Sequence, residues 1–194
     1  MDPRARPLLS ELGSYDPEDA AERATLERMR AFVSSRPDPF SREHEGHITG
    51  SAVIAKPDGS AFLLIHHRRL GRWLQPGGHT DPGDASVLAT ALREAREETG
   101  AQDLEVTNRG RILDLDIHPI PAFEERPPHV HYDIRFLATA EAAAGPGEVE
   151  EVSGVAWFTL EEALAAGVDG SLMRSLAKAR GMLIGDRGSG RRPG

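Results

Sequence analysis

The 194-residue chain contains no cysteine. That excludes a disulfide framework, a thiolate zinc site and a cysteine nucleophile together. Aromatic residues make up only 5% of the chain, so few side chains could stack on a base, and Phe123, Tyr132 and Trp157 are the candidates. No stretch approaches the roughly 18 consecutive apolar residues of a membrane span. The N-terminal Met-Asp-Pro-Arg-Ala-Arg lacks the apolar run of a signal segment. With 28% charged residues, the expected setting is soluble and cytoplasmic, with no membrane partner. Basic residues are outnumbered, 23 against 31 acidic, for a net charge of −8. This argues against a protein that grips long nucleic acid by neutralising phosphates. Nucleotides remain open, because acidic sites hold phosphates through divalent cations. Repeats at solenoid or propeller periods are absent as well.

The length suits one domain with a short extension, able to bury about 70% of its unfolded surface without staples. Residues 1–45 read as a helical extension. Leu8, Leu9 and Leu12 lie at a loose helical spacing, and Asp16-Pro17-Glu18-Asp19 has the cap, proline and acids of a helix start. Leu26, Met29 and Val33 then give one apolar face, and Pro37 and Pro39 end the helix. A piece this small is expected to pack on the main domain or on a second subunit, so a homodimer is one possibility. From His47 the pattern changes. Ile48–Ala55 and Ala61–His67 read as a hairpin around Pro57-Asp58-Gly59. A glycine-rich loop, Pro76 to Asp84, leads into a helix with Leu88, Ala91, Leu92 and Ala95 as its buried stripe and Gly100 at its end. Strands are expected near 104–108, 111–118, 129–139 and 153–158. Thr159-Leu160-Glu161-Glu162 matches a capping box, and a last helix should run from about Ser171 to Met182. Residues 46–184 thus form the main domain, and 185–194, rich in Gly, Arg and Ser, are expected to be disordered.

The stretch that carries chemistry is Gly78-His79-Thr80-Asp81-Pro82-Gly83-Asp84 followed by Arg93-Glu94-Ala95-Arg96-Glu97-Glu98-Thr99-Gly100-Ala101. On a helix, Glu94, Glu97 and Glu98 stand at i, i+3 and i+4 and project from one face. Such carboxylates repel unless something positive sits among them, and a hard divalent cation is the natural candidate. Arg93, four residues before Glu97, could orient a carboxylate by a forked hydrogen bond. The plain alternative is a solvated helix face laced with Arg and Glu pairs.

The neighbours of this helix favour the first reading, because the stretch resembles the Nudix box, Gly-x5-Glu-x7-Arg-Glu-U-x-Glu-Glu-x-Gly-U with U aliphatic. There are two departures: the first glutamate is Asp84, and eight residues rather than seven separate it from Arg93. Asp84 can still serve as a helix N-cap, while its shorter side chain puts in question the contact that a glutamate makes with the arginine. The resemblance extends over about residues 48–165. It implies an α+β fold, an α/β/α sandwich with a mixed sheet, here with the N-terminal helical extension added. It also implies Mg²⁺- or Mn²⁺-dependent hydrolysis of a pyrophosphate bond in a nucleoside diphosphate linked to another group, or in an NTP. By the same resemblance Glu94, Glu97 and Glu98 are metal ligands, the Gly78 region supplies a backbone carbonyl, and Arg93 belongs to the catalytic set. The general base in such proteins is a box glutamate or an acid from a later loop. Glu148, Glu150 and Glu151 are the distal candidates here, in a stretch (141–162) with six glutamates and no Lys or Arg. A rival reading is a catalytically weak ligand-binding or regulatory member, suggested by Asp84 and the extra residue. The isomerase branch of the fold relies on a cysteine, which this chain lacks.

Two strands have an unusual polar face. In 114–118, period two puts Asp114, Asp116 and His118 on one side. In 129–136, His129, His131, Asp133 and Arg135 share a side. A hairpin of these strands has a His/Asp-lined surface. That surface could be a solvated strand face, a substrate wall (with Asp116, His118, His129, His131 and Asp133, joined by His79), or a separate metal site, since His-x-His places two imidazoles together. Arg68, Arg69 and Arg72, beside His66 and His67, form a positive patch suited to phosphate or simply to solvent. Which small nucleotide is bound is not written in the box.

Overall fold

The computed structural model describes residues 2–122, 127–142, 145 and 149–188. Its elements in chain order are helices α1 (Ala5–Gly13) and α2 (Ala20–Ser35) and strands β1 (Gly46–Ala55), β2 (Phe62–His67), β3 (Arg72–Leu74) and β4 (Gly77–His79). Helix α3 (Val87–Thr99) and strands β5 (Glu105–Val106), β6 (Ile112–Ile120), β7 (His129–Thr139) and β8 (Val152–Phe158) follow, with α4 (Leu160–Ala165) and α5 (Gly170–Gly188) last. The sheet is mixed: β1 runs parallel to β7 from Gly46↔Val130 to Ala55↔Thr139, and the other pairings are antiparallel. One edge of β1 is shared. Its C-terminal end pairs with β2 at Ile54↔Leu63, and residues 49–51 pair instead with β4. This fork brings the glycine-rich segment alongside β1.

Two apolar layers sandwich the sheet. On one face, Leu8, Leu12, Leu26, Met29 and Val33 of α1 and α2 join Ala91 and Ala95 of α3 against Ile48, Ala52, Leu115, Ile134 and Phe136. On the other face, Leu172, Leu176 and Ala179 of α5 cover Val53, Phe62, Leu64, Leu113 and Leu137. The N-terminal helices therefore share the core of the main domain. Helix α2 begins at Asp19, whose carboxylate accepts from the Glu22 N–H at 2.8 Å, three residues after the Asp16 start that the composition suggested. The stripe of α3 is rotated from the expected one: Val87, Ala91 and Ala95 are buried, and Leu88 and Leu92 flank them. The cause is Gly50, where a Cβ would lie 2.6 Å from the Val87 carbonyl, so the helix approaches the sheet on its small residues. Helix α5 continues to Gly188, so residues 185–188 are helical rather than the start of a disordered tail, and residues 189–194 lie outside the described residues. No helix among the described residues is long and apolar enough to cross a membrane.

Candidate active site

The glycine-rich segment is built to let carboxylates touch backbone. Gly77 has φ +157°, and a Cβ there would meet the Ser51 side-chain oxygen at 2.3 Å; a Cβ on Gly78 would meet the Glu94 carboxylate carbon at 2.7 Å. Glu94 thus lies directly on β4, and Glu98 accepts from the Gly77 N–H at 2.8 Å. Arg93 stands at the centre of the acids. Its Nε and Nη2 donate to the two oxygens of Asp84 at 3.1 and 3.0 Å, its Nη1 donates to Glu94 at 3.0 Å and Glu97 at 3.1 Å, and Nη2 also reaches the His79 carbonyl at 2.9 Å. Asp84 is therefore not the helix cap. Ser86 takes that role, accepting from the Ala89 N–H at 3.1 Å. Asp84 instead makes the forked contact with the arginine that its shorter side chain had put in question. It also accepts from the Thr90 hydroxyl and the Asp81 N–H.

The electrostatics follow from this packing. Burial pushes Glu98 up to about 8, helped by the charges of Glu94, Glu151 and Glu97 and opposed by the Gly77 N–H. Glu94 is also raised by burial, against the pull of Arg93. Glu97 is half-exposed, with its side chain 49% accessible. Glu151 is exposed, yet its charge is felt at Glu98 and at His67, so the turn before β8 borders the box. Glu150 is exposed on the same turn; Glu148 lies outside the described residues, as does Phe123. Arg68, Arg69 and Arg72 are exposed around the β2–β3 turn, and the Arg68 N–H donates to the Glu151 carbonyl at 2.8 Å, which sets this patch beside Glu151.

The His/Asp face exists as period two predicts, with Asp116 opposite Asp133 and His118 opposite His131 in the β6–β7 hairpin. Its acids are not a free substrate wall, however. Asp133 is 2% exposed, and its oxygens accept from Thr49, Ser51, Gln75 and Arg135 at 2.7–3.2 Å. Arg135, 3% exposed, also donates to Asp116 at 3.1 Å and to Ser171 and Ser175 of α5 at 2.8 Å. One guanidinium thus neutralises two acids that face each other across the hairpin. Asp116 works against its own burial to stay well below the usual carboxylate range, through His118 and Arg135. His118 is half-buried and its Nδ1–H donates to Asp116 at 2.9 Å; that partner outweighs burial and raises it. Asp114, fully buried, is tied to Arg174, Ser175 and Lys178 rather than to the open face.

At the far end of the face, His131 meets His129, His79 and His47, with ring centroids 4.9–5.1 Å away. Burial, then the neighbouring histidines, push His131 down to about 2. His47, Thr49, Ser51 and Gln75 are members of this face that period two along β6 and β7 did not reveal. The signal for the first three is the odd-numbered spacing in β1, and it gains meaning only when β1 is placed beside β7.

A family model, described as NUDIX domain, matches residues 45–177. Among curated relatives, the mouse (Mus musculus) bis(5'-nucleosyl)-tetraphosphatase [asymmetrical] is 46% identical over 63 residues, 28% of this chain and 39% of that one. The ADP-ribose pyrophosphatase of Mycobacterium tuberculosis is 26% identical over 143 residues, 72% of this chain and 66% of that one. The chain thus spans well under half of the mouse relative's length and about two thirds of the mycobacterial one's. Among solved structures, a C. elegans Ap4A hydrolase binary complex superposes with a TM-score of 0.53 at 22% identity, covering 71% of this chain and 98% of that one, which shows the fold. With the box on α3, the glycines of β4 and the mixed sheet between two helical layers, the chain belongs to the NUDIX domain family.

Proposed function

We propose that the protein is a Mg²⁺- or Mn²⁺-dependent pyrophosphohydrolase acting on a small nucleotide, a nucleoside diphosphate linked to a second group. The observation that carries this reading is the packing of Glu94 and Glu98 against the backbone of Gly78 and Gly77, with Arg93 bridging Glu94, Glu97 and Asp84. The donor set fits a hard cation: all oxygen, from Glu94, Glu97, Glu98 and the Gly78 carbonyl. Its burial and mutual repulsion, which push Glu98 up to about 8, are what a bound cation relieves. When bound, such a cation neutralises phosphate charge and polarises the attacking water. Arg93 holds the glutamates in register before substrate arrives, and Asp84 holds Arg93. Glu151, whose charge reaches Glu98, is the distal acid best placed to accept a proton from water. Arg68, Arg69 and Arg72 beside it would receive phosphate oxygens. The mouse and mycobacterial relatives are named for a dinucleoside polyphosphate and for ADP-ribose, and both classes belong in the first substrate panel.

The reading of a catalytically weak binding protein drew on Asp84 and the inserted residue. The forked Asp84–Arg93 contact removes that support, because the link those changes threatened is present. The test is turnover of NDP-sugars, dinucleoside polyphosphates, ADP-ribose and NTPs with Mg²⁺ or Mn²⁺, read as phosphate or NMP release. Expected are cation-dependent turnover of at least one class and its loss in Glu97→Gln. Binding of these compounds without turnover, with Glu97→Gln behaving like the parent, would sink the proposal and favour the binding protein.

A further inference from the structure

A second group of donors stands apart from the box carboxylates. His79 of β4, His47 of β1, and His129 and His131 of β7 each offer one ring nitrogen, and these four atoms all lie within 4.8 Å of one another. Strand pairing holds them together. His47 sits directly opposite His131 in the parallel β1–β7 pair, and His79 pairs with Thr49, two residues along β1 on the same face. His47 is 2% exposed and the other three are half-buried, so the cluster reaches from the core toward the surface. The hydrolysis proposed above gives this group of four imidazoles no task.

We infer that His47, His79, His129 and His131 form a binding site for one Zn²⁺ ion, separate from the carboxylate site on α3. The donor chemistry selects the ion class: four imidazole nitrogens and no carboxylate suit a borderline late first-row cation, whereas Mg²⁺ and Mn²⁺ take oxygen. The spacing agrees. Nε2 of His129 and Nε2 of His131 are 3.3 Å apart. That matches the edge of a tetrahedron with Zn–N bonds of about 2.0–2.1 Å, which is about 3.3–3.4 Å. The outer contacts agree too. Nδ1 of His129 lies 3.0 Å from the Pro127 carbonyl, an acceptor only, so Nδ1 carries the proton and Nε2 presents its lone pair to the cluster. One cation can take a lone pair from each of the four rings at once.

The site also bears on the box. His79 follows Gly78, and its carbonyl accepts from Arg93 at 2.9 Å. An ion held by His79, His47 and the β7 pair therefore pins β4, the strand on which Glu94 and Glu98 rest, to the centre of the sheet. It acts as a structural staple in a chain without cysteine, and its existence does not depend on hydrolysis.

The test uses the full-length protein without a polyhistidine tag, stripped with a chelator and dialysed against Zn²⁺ in excess Mg²⁺, with metal per chain measured by mass spectrometry. Expected are one Zn²⁺ per chain and a Tm higher by about 5 °C or more. Replacing Zn²⁺ by Co²⁺ should give the visible absorption of a four-coordinate ion. His129→Ala and His131→Gln should each weaken uptake by about 100-fold or more, with circular dichroism unchanged for His129→Ala at the start of β7. Glu97→Gln should take up Zn²⁺ like the parent. Less than half an equivalent on the parent overturns the inference without any variant. So does uptake that survives both histidine substitutions, or uptake abolished by Glu97→Gln, which would place the ion on the box.

Discussion

Substitution of Asp84 tests whether the shortened acid and the inserted residue form one matched arrangement. Asp84 receives two charge-assisted bonds from Arg93 and further bonds from Thr90 and the Asp81 N–H, with its side chain 9% exposed and that of Arg93 26%. In Asp84→Ala, Arg93 keeps Glu94, Glu97 and the His79 carbonyl, so it is not stranded, but the two forked bonds are gone. Bonds to charged groups contribute about 1.5–3 kcal/mol each, and the remaining partners offset part of that, giving an expected loss of about 2–4 kcal/mol. With an urea slope of about 2 kcal/mol per molar, the midpoint should fall by about 1–2 M. A double-mutant cycle with Arg93→Ala should return a coupling of about 1.5–3 kcal/mol, and a value below about 0.5 would refute the assignment. Asp84→Glu supplies the acid of the box resemblance, yet it adds a methylene where the inserted residue already provides the reach, so it should cost about 1 kcal/mol or more. A Glu variant as stable as the parent would show that the two changes are unrelated. The pH dependence has a definite sign. Burial alone would raise Asp84, but Arg93, Asp81 and Thr90 hold it below its ordinary value of 3.8. The stability this contributes is complete above 3.8 and is lost as pH falls through the folded value, so the gap between the parent and Asp84→Asn should be full at neutral pH and close under acid.

The two glycines of β4 should fail in different ways. Gly78→Ala presses on the end of the flexible Glu94 side chain, so it should lower kcat about tenfold or more with little change in Tm, whereas Gly77→Ala strikes the Ser51 backbone at positive φ and should destabilise by about 2 kcal/mol or more in urea. Equal thermal stability for the two variants would contradict this. Asp114 is fully buried among Arg174, Ser175 and Lys178, and Arg135 is 3.6 Å away, so Asp114→Ala should cost about 3–5 kcal/mol by urea unfolding; a loss under about 1 would refute the network. Glu151→Gln should lower kcat about 100-fold at unchanged Tm, while Glu162→Ala, which loses only the capping box of α4, should leave kcat alone, and the reverse pattern would move the general base elsewhere.

The parts legible in the sequence were those governed by short-range rules. The Thr159 to Glu162 capping box forms as read, and Gly100 ends α3 at φ 67°. Period two along 114–118 and 129–136 correctly sorted polar from apolar positions, because a strand offers only two faces. The failures arise where a nearby competitor decides. Asp84, Ser86 and Asp19 can all cap a helix on paper, but Asp84 is claimed by Arg93, nine residues on, and the cap passes to Ser86. The α3 stripe likewise turned toward Ala91 and Ala95 because Gly50, distant in sequence, removed the Cβ that would have kept the helix away. Charge counting located the distal acids without choosing among them. The acidic 141–162 stretch gathers most of the net charge, yet within it Glu162 serves a helix cap, and Glu151 is the member whose charge reaches Glu98.

His47 shows why a site can be written in the residues and still be unreadable along the chain. As a sequence, His47 is a polar residue at the boundary of an apolar strand, and nothing within ten residues on either side hints that it will be 2% exposed. His-x-His in β7 offers two donors, which any solvated strand could also present. The cluster forms only through register. The parallel β1–β7 pair fixes His47 against His131, and the fork of β1 between β2 and β4 delivers His79 two positions away. A slip of one residue in either pairing would turn His47 or His79 to the opposite, apolar face, where α1, α2 and α3 pack. That register is itself held by the core, since Ile48, Ala52 and Ile54 must face the helices, and it leaves 47, 49 and 51 to the polar side. The hydrophobic pattern of β1 therefore places a histidine whose own chemistry contributes nothing to the placement. The same pairing that buries the core assembles the donors.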